Sequence, residues 1–217
     1  MKNMKKTLLI CLCAAAVFAA AVMGTLAWLA DTDSVKNTFT VGQVTIAVDE
    51  AKVNPDGTPV AGAARVQENQ YHLIPGQTYV KDPTLTVEAD SEEAYVRMLV
   101  TINCKSELDA IFAPGVKLDS LFNGWDSTAW TYYNETEDTA ANTVTFEFRY
   151  KTTVDPDGTD VVLDALFDSF TVPGTLDGED LKAIQDLTIT VTGHAIQAVG
   201  FADADAAWAA FDTQYNS

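Results

Sequence analysis

The stretch that decides the fold is TVTFEFRYK, at residues 143–151. Its large apolar side chains occupy every second position: Val144, Phe146, Phe148 and Tyr150. Because successive side chains of a strand point to opposite faces, this period of two predicts a half-buried β-strand. The pattern, rich in β-branched residues, recurs at 44–48, 94–104 and 187–194.

The outward faces of these predicted strands are polar. In 94–104 one face holds Val96, Met98, Val100 and Ile102, and the other holds Tyr95, Arg97 and Thr101. In 187–194 the apolar face is opposed by Thr188, Thr190, Thr192 and His194. Threonine-rich outer faces favour an antiparallel sheet with one face in water.

Turn residues separate the predicted strands, and helices are few. The Pro-Asp-Gly sequences within 54–57 and 155–158 predict tight turns, since proline presets φ and glycine takes a positive φ. Short helices are predicted at 106–112, 160–167, 178–185 and 203–211. Many short strands without a βαβ rhythm predict a mainly β protein, an antiparallel two-sheet sandwich in a single domain.

Composition excludes several classes of protein. The chain has 217 residues, 31 acidic and 13 basic side chains and a formal charge of −18. It is too apolar and aromatic for a disordered protein. Nucleic-acid affinity comes from lysine and arginine, so phosphate-based binding of DNA or RNA is also excluded.

The first 27 residues predict a secretory signal peptide. Lys2, Lys5 and Lys6 precede a charge-free stretch that extends to residue 30. Small residues at Thr25 and Ala27 predict cleavage after Ala27, which leaves residues 28–217 as the domain. The alternative is an uncleaved membrane anchor, because the charge-free run is long enough to span a bilayer. Cleavage removes three lysines and no acid, so −18 becomes −21.

Cleavage would also remove two of the three cysteines, Cys11 and Cys13. Cys104 then has no partner for an intramolecular disulfide. Because it ends an apolar run, we expect a buried thiol, with an intermolecular bridge as the alternative.

No standard catalytic motif is present. Zinc catalysis usually needs three protein ligands that include histidine, but the chain has only His72 and His194 and no His-Glu-x-x-His sequence. We expect His72 in a loop and His194 at a surface or sheet edge. There is no Gly-x-Ser-x-Gly elbow and no glycine-rich phosphate loop, so no cofactor is predicted.

Calcium is the one metal with a candidate site. Asp155, Asp157 and Asp160 place three carboxylates within six residues around Gly158, and calcium prefers such hard oxygen ligands. The register differs from that of an EF-hand loop. A solvated acidic turn is therefore favoured over a calcium site.

The N-terminal region resembles a known family. Residues 24–44 contain GTLAWLADTDS and then NTFTVGQV, a small-residue exit with an aromatic followed by Asn-x-Phe-x-x-Gly. LIPGQT at 73–78, Lys81-Asp82-Pro83 and Tyr95-Val96-Arg97 resemble further parts of the pattern. The sequence is similar in these places to the TasA and camelysin family, proteins exported by Gram-positive bacteria and processed by a SipW-type signal peptidase. Residues 105–186 show no specific likeness.

The resemblance implies a jelly-roll-like β-sandwich that builds extracellular fibres of the biofilm matrix, alone or with related exported subunits. In this family the N-terminal segment of one subunit adds a strand to the next, which gives residues 28–42 the role of an exchangeable strand. The self-assembly residues would be its apolar members: Trp28, Leu29, Val35, Phe39 and Val41. The alternative is that these residues form a loose tail and that 37–50 pairs within its own sandwich.

Two other functions stay open. Camelysin is also a metallopeptidase, but the missing zinc motif argues against that activity, so we do not expect an enzyme. A cell-surface binding module, assisted by calcium at Asp155, Asp157 and Asp160, is the other alternative. Either way the protein is expected outside the cell, with contact to a membrane only through an uncleaved signal segment.

Overall fold

The stretch 143–151 contains an eight-residue strand, Thr143–Tyr150, which pairs with a neighbouring strand on both sides. The computed structural model describes residues 42–112, 117 and 121–215. Their strands are β1 (Ile46–Asp49), β2 (Thr78–Val80), β3 (Thr84–Val87), β4 (Ala94–Asn103), β5 (Phe122–Asn123), β6 (Trp130–Asp138), β7 (Thr143–Tyr150), β8 (Val161–Val162), β9 (Ser169–Thr171) and β10 (Ile189–Gln197). Their helices are α1 (Lys105–Ile111), α2 (Gly178–Ala183) and α3 (Ala204–Tyr215).

The strands form three antiparallel sheets. The largest has the order β10-β4-β7-β6, and the two smaller ones have the orders β1-β3-β8 and β2-β9-β5. The prediction of a mainly β, antiparallel protein with a few short helices is therefore confirmed, but the described strands form three sheets where two were predicted. No helix among the described residues is long and apolar enough to cross a membrane.

One hydrophobic core receives the apolar faces of all three sheets. Its buried members include Tyr79 of β2, Leu85 of β3, Phe122 of β5 and Phe170 of β9. The predicted inward faces of β4 and β7 are confirmed for seven side chains that are at most 5% exposed: Val96, Met98, Val100, Ile102, Val144, Phe146 and Phe148. The other predicted inward residues are only partly buried against the core: Tyr150, Leu187, Ile189 and Val191. Alternation in sequence thus identified the core face of the central strands correctly.

The two Pro-Asp-Gly turns also form as predicted. Gly57 and Gly158 both have φ of 80°, a left-handed conformation that costs glycine nothing. Three of the four predicted helices are confirmed as α1, α2 and α3. The helix predicted at 160–167 is wrong: that stretch begins with the short strand β8, which pairs with β3, and its Leu163 and Leu166 enter the core.

The prediction of a fully solvated outer face is also wrong for the largest sheet. Arg97 and Glu147, both on that face, are only 4% and 8% exposed. The cause is helix α3, whose Trp208 and Phe211 pack over the guanidinium of Arg97. Strand β6 was not predicted, because its sequence WTYYNETED shows little apolar alternation. It is an edge strand in which only Trp130 is buried.

Cys104 directly precedes α1 and has a positive φ of 56°. Its thiol is partly rather than fully buried and is not in a disulfide with any described residue. Burial raises the pKa of this thiol, and the nearby Glu107 and Asp186 raise it further. The expectation of a buried thiol is thus met only in part.

Candidate functional site

An open groove of about 820 Å³ lies between strand β1 and strand β10. Its floor is apolar and includes side chains that pack against the core: Val48, Leu73, Phe170, Ile189 and Val191. Its rim is polar and is formed by Gln67, Glu68, Gln70, Thr188 and Thr190. An apolar floor with a polar rim suits an extended chain segment whose side chains alternate in character.

Strand β10 contributes a free edge to this groove. Thr188 accepts a backbone hydrogen bond from Asn103, and Ala198 donates one to Glu93. The backbone N–H and C=O groups of the even-numbered residues of β10 therefore point toward β4. In an antiparallel ladder the alternate residues then direct their N–H and C=O groups away from that partner. Within the described residues β10 pairs with β4 alone, which leaves the outward backbone groups of Ile189, Val191, Gly193 and Ala195 unpaired.

Strand β1 contributes a second edge, to which no strand of the described chain pairs. Glu88 donates a backbone hydrogen bond to Thr45, so the backbone groups of Ile46 and Val48 point away from β3. The edge closes at Glu50, which exchanges two 2.8 Å backbone hydrogen bonds with Val66. Exposed strand edges bind additional strands readily, and natural proteins usually cover them.

Strands β1 and β10 come into close contact at Gly193. A Cβ atom at this position would lie 2.6 Å from Leu85 Cδ1 and from Val48 Cγ2. Only a residue without a side chain allows β10 to pack this tightly on the β1-β3-β8 sheet. Gly193 therefore sets the width of the groove at this end.

A buried ion pair lies at another side of the groove. Lys81 Nζ is 2.5 Å from Glu50 Oε2, and the two residues are 7% and 6% exposed. Asn69 Nδ2 donates to the other carboxylate oxygen at 2.9 Å. Next to them, burial raises the pKa of Tyr71, and the negative charges of Glu50 and Asp82 raise it further.

A second charged cluster lies outside the groove, under α3. Arg97 donates to both carboxylate oxygens of Asp212, at 2.5 and 3.3 Å, and its Nε donates to His194 Nδ1 at 3.2 Å. The hydrogen bonds from Arg97 hold the pKa of Asp212 below its usual value. Burial lowers the pKa of His194, and the positive charge of Arg97 lowers it further.

The two histidines lie where the sequence placed them. His72 is an exposed loop residue, and His194 is on the edge strand β10, half-buried against the ring of Phe211 at a centroid distance of 4.8 Å. Neither belongs to a metal-binding arrangement, since no group of three or more His, Cys, Asp or Glu residues in the described part of the chain is placed to hold a metal ion.

Two of the candidate calcium residues accept hydrogen bonds from different parts of the chain. Asp155 accepts from the backbone N–H of Asp157 within the turn, at 3.3 Å. Asp160 instead accepts from the backbone N–H of Ala89, at 2.8 Å. Calcium binding by Asp155, Asp157 and Asp160 stays a prediction.

The remaining predicted site residues lie outside the described residues. These are the cleavage residue Ala27 and the self-assembly residues Trp28, Leu29, Val35, Phe39 and Val41. The signal peptide and the exchangeable strand therefore stay predictions.

Neither charged cluster was predicted from the sequence. Glu50, Asn69 and Lys81 are far apart in the chain and meet only because β1 and the 66–71 segment pair at Glu50. A lysine directly before an acidic residue and a proline is an ordinary turn sequence. The only available signal for Arg97 was its place between buried residues of β4, which indicates a residue within a sheet but not the helix that covers it.

Three comparisons with known proteins place no further constraint on this geometry. No family model matches the chain, no curated protein matches it, and no solved structure matches it. The likeness to the TasA and camelysin family therefore rests on the motifs of the first hundred residues.

Proposed function

We propose that this protein is a secreted structural subunit of extracellular or cell-surface fibres, and that it assembles by N-terminal strand donation. We also propose that it is related to the TasA and camelysin proteins and has their jelly-roll-like sandwich. In this proposal the segment 28–41 of one copy, released by cleavage after Ala27, binds in the groove between β1 and β10 of the next copy.

One observation supports this proposal above the others: two strands that pair on one side only, as far as the described residues show, face the same open groove. An added strand would gain main-chain hydrogen bonds from Ile189, Val191 and Gly193. Strand addition obtains affinity from such bonds and specificity from alternate side chains in pockets. It would also remove two exposed edges at once, which an isolated sandwich leaves open to indiscriminate pairing.

The sequence of the proposed donor fits such a groove. Val35, Phe39 and Val41 stand four and two positions apart in the sequence, so in an extended segment they share one face. That face would meet the apolar floor at Val48 and Phe170. The intervening polar residues would meet the rim, where Gln67 and Gln70 offer amide groups.

A donor variant and an acceptor variant test the proposal. The donor variant lacks 28–41 and begins at Gly42. The acceptor variant is Val191→Pro, which removes an N–H that faces the groove and not β4, and proline is tolerated on such edges. We expect the chain that begins at Trp28 to form growing particles by light scattering and fibres by negative-stain microscopy, and each variant alone to stay monomeric.

Mixing the two variants makes the test sharper. One still has a groove and the other still has a donor segment, so a mixture should stop at one-to-one dimers. The matched control is Val162→Pro on β8, an exposed edge that does not line the groove. Its N–H also faces away from its partner, because Leu163 N bonds to Leu85 O and the residues alternate. This control should assemble like the parent chain.

Three outcomes would contradict the proposal. The parent chain could stay monomeric across pH and salt. The Val162→Pro variant could lose assembly as fully as Val191→Pro. Removal of 28–41 could lower the melting temperature of a monomer without changing its size, which would assign the groove to the chain's own N-terminal segment.

A further inference from the structure

A single buried carboxylate connects an amine with a carboxamide at the edge of the groove. Glu50 Oε2 is 2.5 Å from Lys81 Nζ, and Glu50 Oε1 accepts from Asn69 Nδ2 at 2.9 Å. The two oxygens of one carboxylate thus hold the two nitrogens side by side. A carboxylate in this place is able to accept a proton from one nitrogen and deliver it to the other.

The surroundings largely exclude water at this point. Glu50 and Lys81 are 6% and 7% exposed. Tyr71, with its hydroxyl bonded to the Val80 carbonyl and its ring against Phe170, lines the same side of the groove. Transfer of one proton from Nζ to Oε2 along their hydrogen bond makes Lys81 a neutral amine, the nucleophilic form of lysine.

The carboxamide of Asn69 is fixed and polarised. Its Oδ1 accepts from the backbone N–H of Val53 at 2.9 Å, and its Nδ2 also donates to the Ala51 carbonyl at 2.8 Å. These bonds hold the Cγ carbon in one orientation. The N–H of Val53 is also placed to stabilise negative charge that develops on Oδ1 when Cγ is attacked, as a donor in an oxyanion hole does.

We propose that Lys81 and Asn69 become joined by an intramolecular amide bond, with Glu50 as the general base and acid. The Nζ–Cγ bond forms and the Cγ–Nδ2 bond breaks. Glu50 takes protons from Nζ and returns one to Nδ2, which leaves as ammonia and carries the remaining proton away as ammonium. A lysine ammonium and a carboxamide thus become an amide and ammonium, with Glu50 restored as a carboxylate and no oxidant consumed.

The bond would tie the 66–71 segment to the residue that follows β2, independently of whether the protein forms fibres. The simpler alternative is a permanent ion pair, with Asn69 acting only as a clamp on the backbone at Ala51 and Val53. The two alternatives differ in covalent structure and therefore in mass.

Tryptic digestion of the denatured full-length protein distinguishes them. Trypsin cleaves after Arg65, Lys81 and Arg97. An amide on Nζ removes the charge that trypsin recognises, so we expect one peptide spanning 66–97 whose mass is lower by that of ammonia, about 17 Da. Fragment ions from breakage between residues 69 and 81 should be absent from its spectrum, because the bond closes a ring there.

Two variants identify the groups that react. Lys81→Arg should abolish the mass loss, because the guanidinium is not a nucleophile at neutral pH. Glu50→Gln keeps the size of the side chain but removes the base, and it should yield the unmodified peptide 66–81. Circular dichroism of the same samples confirms that the variants compared are folded.

The parent protein by itself is able to overturn the proposal. Cleavage after Lys81 with release of 66–81 at its full mass would mean that the ion pair is permanent. Release of 66–81 with the ammonia lost would place a succinimide at Asn69 instead. An unchanged cross-link in a folded Glu50→Gln variant would remove the role of Glu50.

Discussion

At the scale of single residues, Arg97 is a buried charged residue of the largest sheet. The residue is only 4% exposed, and the carboxylates of Asp212 and Glu147 balance the charge of its guanidinium. His194 accepts a hydrogen bond from its Nε, and the ring centroid of Trp208 lies 4.5 Å from its Cζ. A buried charge is tolerated only with such compensation. The cluster therefore attaches α3 to the sheet, together with a second ion pair between Arg149 of β7 and Asp205 of α3.

We expect Arg97→Ala to destabilise the protein strongly. The substitution removes a buried ion pair and the packing of Trp208 on the guanidinium, and breaking such pairs costs about 3–5 kcal/mol. Urea unfolding followed by tryptophan fluorescence measures the loss. The exposed Lys182→Ala is the control and should change stability by less than about 0.5 kcal/mol. A loss below about 1 kcal/mol for Arg97→Ala would mean that the remaining contacts of α3, which are its apolar contacts and the Arg149–Asp205 ion pair, are sufficient to hold it.

His194 makes the stability of this cluster depend on pH. Its half-buried ring faces Arg97 from β4, Glu147 from β7, and Phe211 and Asp212 from α3. Because burial and Arg97 lower its folded-state pKa, the unfolded chain binds the proton more tightly. The stability contributed by neutral His194 is therefore complete above about pH 6.5 and is lost as pH falls below that value.

Melting temperatures at pH 7.5 and 5.5 test this expectation. The parent protein should lose stability over this interval, and His194→Gln, which cannot be protonated there, should lose less. The carboxylates with lowered pKa, such as Asp212 and Asp126, titrate at lower pH and do not enter this window. Equal losses in the two proteins would assign the pH dependence to other groups.

At the scale of secondary structure elements, the contact between β10 and the β1-β3-β8 sheet depends on one glycine. A Cβ at position 193 would lie 2.6 Å from Leu85 Cδ1 and Val48 Cγ2, and Leu85 is fully buried. Leu85 has no open space to move into without displacing the core, whereas Val48 borders the groove. The strand must therefore shift outward to accept any larger residue.

We expect Gly193→Ala to cost about 1–3 kcal/mol, the range for overpacking in a well-packed core. Gly178→Ala is the matched control, because a Cβ there meets nothing within 4 Å and φ is not positive. Thermal or chemical unfolding of both variants gives the comparison. A Gly193→Ala variant as stable as the control would show that the two sheets separate easily at this point.

At the scale of the whole molecule, acidity opposes the association of copies. The formal charge is −18, and cleavage after Ala27 would make it −21. Like charges repel over a screening length of about 10 Å at 0.1 M salt and about 3 Å at 1 M. Proposed fibres of such a chain must overcome this repulsion at every added subunit.

Assembly of the chain that begins at Trp28 should therefore accelerate as sodium chloride rises from about 0.1 M to about 1 M. Light scattering against time measures the rate. Calcium chloride at the same ionic strength is the control, and it should give the same acceleration if screening alone acts. A much larger effect of calcium would favour ion binding at Asp155, Asp157 and Asp160, and slower assembly in salt would contradict the role of repulsion.

The sequence by itself determined the features that depend on neighbouring residues. Alternation placed Val96, Met98 and Phe146 in the core, because a strand repeats every two residues whatever packs against it. Proline and glycine marked the turns at Gly57 and Gly158, because backbone sterics are local. An alternating pattern requires a sheet with one covered face, so the mainly β, antiparallel class followed as well.

Only the tertiary structure decided the contacts between elements that are distant in the sequence. The burial of Arg97 depends on where α3 packs, and the meeting of Glu50, Asn69 and Lys81 depends on the pairing of β1 with a distant segment. The edge positions of β1 and β10 follow from the order of strands within each sheet of the described residues. No short stretch of sequence encodes these relations, because they arise from the free energy of packing the complete chain and not from the conformational preferences of neighbouring residues.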